Sequence, residues 1–109
     1  MAKEKVLITI NGDMKMKRFS ILQNEKKCFV CGTTYNIHTH EIFFGTANRK
    51  KSIKYGCCIY LCGYHHNLSN EGVHFNKKLD TYLKQIGQRA FEKKYPDKDF
   101  LKEFGRNYL

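Results

Sequence analysis

No apolar run in the 109-residue chain approaches the ~20 residues that a membrane-spanning helix needs. The first ten residues, MAKEKVLITI, carry charge but no apolar core followed by small residues, so no secretory signal is expected. Acidic side chains are scarce, ten against twenty Lys and Arg, and leave a formal charge of +10. No Pro-, Gly- or Ser-rich linker divides the chain, and neither an internal repeat nor a low-complexity segment is present. These absences argue for one domain, residues 1–109, in a reducing cytoplasm without a membrane partner. A body this small and this basic favours polyanions, with nucleic acid first and an anionic membrane surface second.

Five cysteines stand out in this setting. An odd count cannot pair off completely, and a reducing compartment favours metal over disulfides. A chain this short also gains from a metal staple, because it buries a limited share of its surface.

Three segments follow from patterning. In residues 1–24, Val6, Ile8 and Ile10 alternate, NGD at 11–13 offers a tight turn, and Met14–Leu22 reads as a returning strand. Residues 27–76 hold all the cysteines: a CFVCG turn, an extended stretch Tyr35–Phe44, a basic loop Thr46–Lys54, and a strand Cys57–Cys62. GYHHNLSNEG then begins a short helix or turn that Gly72 breaks. Residues 77–109 are helical. Leu79, Tyr82, Leu83, Ile86, Ala90 and Phe91 form one apolar stripe, which is expected to face the core. Asn76 suits the cap of that helix, Pro96 stops it, and a second helix starts at Asp97 and ends at Gly105. The fold class expected is α+β.

Cys28-x-x-Cys31 and Cys62-x-x-His65 are two pairs, each able to pinch an ion from a tight turn. Together they make a tetrahedral Cys3His set suited to structural Zn2+. Cys57 and Cys58 fall outside both pairs; adjacent on a strand they face opposite ways, so at least one reads as core. His66 is left free by His65 to face a different site.

Its partner lies in HTHEIFFG, His38 to Gly45, where two histidines and a glutamate precede an aromatic pair. The strings CFVC, His40-Glu41-Ile42 and LCGYHH, with a basic segment between, resemble the HNH endonuclease family, over about residues 28–76. They look most like its small phage and prophage members with a zinc knuckle. The resemblance implies a ββα-metal core in which two strands and a helix grip one divalent ion (Mg2+, Mn2+, Ni2+ or Zn2+), flanked here by the N-terminal hairpin and C-terminal helices. It implies metal-dependent hydrolysis of DNA phosphodiesters, with His40 and His66 as ligands of the catalytic ion. Glu41 occupies the general-base position, where the family usually has histidine, and Gly56-Cys57 stands about where a base-orienting Asn is expected.

His38 shares a strand face with His40 and is the other candidate base or ligand. Arg49, Lys50, Lys51 and Lys54, in the segment between the strands, are candidate phosphate contacts. His74, eight residues after His66, is a further candidate ligand or phosphate contact, or simply the entry to the long helix. The alternative function is a zinc-binding module that kept the scaffold and lost catalysis, contacting nucleic acid or a host protein. A homodimer would suit cleavage of both strands, and a phage-encoded chain would act in the bacterial host cytoplasm.

Overall fold

Two antiparallel pairs of strands and a set of helices make up the computed structural model, which describes residues 5–8 and 14–109. The architecture is α+β. Strand β1 (Lys5–Ile8) pairs with β2 (Met14–Lys17), with Lys5 opposite Lys17 and Ile8 opposite Met14. The hairpin expected from alternation is therefore present, but its second strand stops at Lys17 instead of Leu22. Ser20 ends the extended run, because its Oγ accepts from the N–H groups of both Leu22 and Gln23 and bends the chain. The expected NGD turn lies outside the described residues.

The second pair is β3 (Ile37–Glu41) with β4 (Cys58–Cys62), and Glu41 sits opposite Cys58. Both strands match the expected extended segments, trimmed at the ends. Between them the sequence suggested a basic loop, and this is corrected: residues Thr46–Tyr55 form a ten-residue helix, α1. Ala47, Arg49, Lys50, Lys51 and Lys54 are strong helix formers, so local propensity carries the segment. Only Ser52 and Tyr55 of α1 are buried, which left no apolar stripe to read. Ser52 ties the helix down. Its Oγ donates to the Phe43 carbonyl at 2.7 Å and accepts the Phe43 N–H at 3.1 Å. The helix ends at Gly56, whose φ of +75° suits a residue without a side chain. A Cβ there would also lie 2.4 Å from the Phe19 ring.

After β4 the chain enters a single helical turn, α2 (Gly63–His66), then loops back and begins α3 (Lys77–Lys94). Asn76 caps α3 as expected, accepting the Leu79 N–H at 3.1 Å. The helix stops before Pro96, since the residue preceding a proline is pushed out of helical geometry. Asp99, not Asp97, caps the last helix, α4 (Phe100–Phe104), and Gly105 closes it.

The core lies where α3 and α4 cover the β3–β4 unit and α1. Ile42, Phe43, Ile59, Leu61, Leu83, Phe91, Phe100 and Phe104 are fully or almost fully buried. Phe43 meets Phe104 and Phe100 with ring centroids at 4.7 and 5.1 Å. Each such ring contributes about 1.5–3 kcal/mol through its burial. Of the predicted α3 stripe, Leu83 and Phe91 are buried, whereas Tyr82 faces solvent. Gly87 and Gln88 take part in the buried face instead, and Gly87 lets α3 approach Ile42 and Phe43 closely. Among the described residues no helix is long and apolar enough to cross a membrane.

Candidate metal centre and cleft

The first cluster grows from the turn after Cys28. Gly32, at φ +79°, closes that turn by donating to the Cys28 carbonyl, and Phe29 N–H reaches the Tyr60 carbonyl on β4. These bonds carry Cys28 and Cys31 to the end of β4, where Cys62 and the first turn of α2 supply the other half. The ligand atoms of Cys28, Cys31, Cys62 and His65 all lie within 4.8 Å of one another and could hold a metal such as zinc. Cys31 Sγ is 3.8 Å from Cys62 Sγ, and His65 Nδ1 is 3.3 Å from Cys62 Sγ and 3.7 Å from Cys28 Sγ. A tetrahedral thiolate site with bonds of ~2.3 Å needs sulfur–sulfur edges of about 3.8 Å, so the donor set fits the ion. Burial pushes the Cys28 thiol up, but hydrogen bonds with the backbones of Cys62, Cys31 and Val30 together outweigh it and hold the group at about 6. Burial raises Cys62. Cys57 and Cys58 are both core residues; burial raises each, Cys58 to about 12.

His65 and His66 are adjacent on α2, and their rings serve different clusters. On β3 the two-residue repeat puts His38 and His40 on one face, toward His66. His38 Nδ1 lies 2.8 Å from His66 Nδ1. His74 arrives by the return of the chain: Val73 N–H donates to His65 O and His74 N–H to His66 O. Gly72 permits this approach, since a Cβ there would sit 2.6 Å from the His66 carbonyl oxygen. His74 Nε2 is then 3.1 Å from His66 Nε2.

His40 completes this second cluster. One nitrogen from each of His40, His66 and His74 falls within a 4.8 Å group. The His40 ring is 3 % exposed, and its Nε2 has no hydrogen-bond partner among the described residues. A buried ring nitrogen without a partner costs free energy unless something else satisfies it. A cation shared with His66 and His74 would do so, and three imidazoles suit Zn2+ or Ni2+ better than Mg2+. Burial, then the nearby His66, His74 and Lys84, push His40 down to about 3. Burial, then His74 and His38, push His66 down to about 4. Both rings are therefore neutral at pH 7, the form in which imidazole binds metal.

His40, His66 and His74 open into a cleft of about 740 Å³, whose walls include Arg18, Thr39, Glu41, Thr46 and Arg49. Glu41 lines it with both oxygens engaged: Arg18 Nε is 2.8 Å from Oε2, and Arg49 Nε is 3.2 Å from Oε1. Of the four basic residues expected to meet phosphate, only Arg49 lines the cleft. Lys51 is paired with Glu103 at 2.8 Å, Lys54 lies over the Tyr55 ring, and Lys50 is exposed. His38 does not line the cleft and reaches it only through His66.

Arg18 had no signal in the sequence. It follows the hairpin as an ordinary basic residue and reaches the site only because the strand ends at Lys17. No family model, curated protein or solved structure matches the chain.

Proposed function

We propose that the protein is a metal-dependent, HNH-like endonuclease that hydrolyses DNA phosphodiesters. The observation that carries this reading is the convergence of His40, His66 and His74 beneath a cleft walled by two arginines and a carboxylate. Two antiparallel strands followed by a helical turn, with a histidine from β3 facing one from α2, is the arrangement a ββα-metal unit requires. The Cys28, Cys31, Cys62 and His65 cluster takes Zn2+ in this reading and fixes α2, and so sets the position of His66.

His40, His66 and His74 would hold a divalent ion, which when bound supplies Lewis-acid stabilisation to a phosphoryl oxygen and the leaving 3′ oxygen. His38 orients His66. Its contact with Nδ1 leaves Nε2 of the ligand ring directed to the cluster, as outer partners of metal-bound histidines do. Glu41 takes the proton of the attacking water, because it lines the cleft and each of its oxygens keeps a lone pair beyond its arginine contact. Arg49, with Lys50 on the exposed face of α1, contacts the nucleic-acid backbone.

A second reading rests on the same carboxylate. A glutamate shared by two guanidinium groups is engaged in holding them, which suits a nucleic-acid-binding or host-protein-binding module without catalysis.

Incubation with supercoiled plasmid and Mg2+, Mn2+, Ni2+ or Zn2+ separates the two. The nuclease nicks the plasmid, Ni2+ acts at lower concentration than Mg2+, and EDTA or His40→Ala abolishes cleavage. Salt-sensitive binding with no nicking under any metal selects the module instead.

A further inference from the structure

Arg18 and Arg49 come from distant parts of the chain, the exit of the hairpin and the second turn of α1, yet they meet on one carboxylate. Each contact is made through Nε, and Glu41 is the ion-pair partner of both arginines. Glu41 is held at 12 % side-chain exposure, while the two arginines are 41 % and 60 % exposed. The carboxylate thus serves as a fixed post that holds two guanidinium groups at the cleft wall. Such planar groups match the oxygens of a phosphate, whereas a lysine offers only a point charge.

The start of α1 adds to this. Gly45 precedes the helix without a side-chain cap, the first turn holds no acidic residue, and both Gly45 and Thr46 line the cleft. The helix end therefore borders the same space, where the Glu41 carboxylate is already engaged by the two arginines. His40, whose buried Nε2 has no hydrogen-bond partner among the described residues, lines the same cleft, so the proposed ion and this subsite are neighbours.

Resting on the nuclease reading, we infer that Arg18, Arg49 and the start of α1 form a subsite for one backbone phosphate of the nucleic-acid substrate. Glu41 is the post that positions both arginines. Arg18 thereby joins the segment that follows β2 to the site.

The test is the anisotropy of a fluorescein-labelled DNA duplex bound by zinc-replete protein, without added Mg2+, Mn2+ or Ni2+, between about 50 and 200 mM KCl. Arg18→Gln and Arg49→Gln should each weaken binding roughly tenfold or more, and each should lower the salt slope by about one. Arg18→Lys should keep the slope while losing part of the affinity, which a lost fold would not produce. Lys93→Gln, at an exposed position on α3 outside the cleft, is the control for net charge alone. Melting curves confirm that each variant is folded, and Arg18→Lys and Arg49→Lys decide for any arginine whose Gln variant is not. Millimolar inorganic phosphate at matched ionic strength should not displace the duplex; displacement would mean a free-phosphate site and overturn the proposal. Arginine variants that bind as Lys93→Gln does also overturn it, even in an active nuclease. Arginine-dependent binding with no plasmid cleavage would refute the nuclease reading and leave the subsite standing.

Discussion

At the residue scale, His40 has no alternative use for its buried Nε2. The residue is 3 % exposed, its Nε2 has no hydrogen-bond partner among the described residues, and it is grouped with the His66 and His74 rings. The cost of that burial appears in acid. The pKa of His40 falls from its ordinary 6.5 to about 3 on folding, so between those values the unfolded chain binds the extra proton and the folded chain does not. Stability is therefore complete above pH ~6.5 and is lost as pH falls below it, by about 1.4 kcal/mol per pH unit for this group. Thermal melts of protein without added divalent ions should shift downward from pH 7 to pH 5. His40→Gln, which cannot take up the proton, should lessen that dependence and leave the part that His66 supplies; an unchanged slope would show that His40 is not a group concerned.

At the element scale, what the sequence made legible depended on whether a segment's role left a pattern. The β3 and β4 strands, the α3 cap at Asn76 and the stop before Pro96 rest on local chemistry and could be read directly. The α1 helix could not, because it contributes only Ser52 and Tyr55 to the interior and shows no periodic stripe. The zinc-type cluster was visible because C-x-x-C and C-x-x-H spacing is itself the geometry of a tight turn. All three histidines of the second cluster were candidates, His40 and His66 through the resemblance and His74 through its spacing from His66, although the loop return that brings His74 back past Gly72 could not be read. Arg18 depends on where β2 ends, and such a long-range placement leaves no local trace. The junction of α1 with β4 offers a direct test of the corrected element. Gly56→Ala forces a side chain into left-handed backbone geometry and against Phe19. It should lower stability by about 1–2 kcal/mol, read from denaturant midpoints. A neutral result would mean that α1 does not end in the left-handed turn described.

At the scale of the whole molecule, the two clusters are coupled through α2, since His65 belongs to one and His66 to the next. Some of the positive charge is engaged within the fold: Lys51 holds α4 through Glu103, and Lys84 pairs with Asp80 beside Phe44. Arg18 and Arg49 are the basic groups that line the cleft. In the proposed reading the net charge attracts a polyanion, and the two arginines and three histidines of the cleft act on it.

The most direct measurement of this account is the metal content of the purified chain, before and after exchange against excess Ni2+ and dialysis, with His40→Ala and Cys28→Ser in parallel. The account predicts one firmly held zinc and a second, exchangeable ion in the parent protein. His40→Ala should keep the zinc and lose the second ion, and Cys28→Ser should lose the zinc. A parent that takes up no second ion, or a His40→Ala variant that still binds it, would contradict the central claim that the histidines form a metal centre.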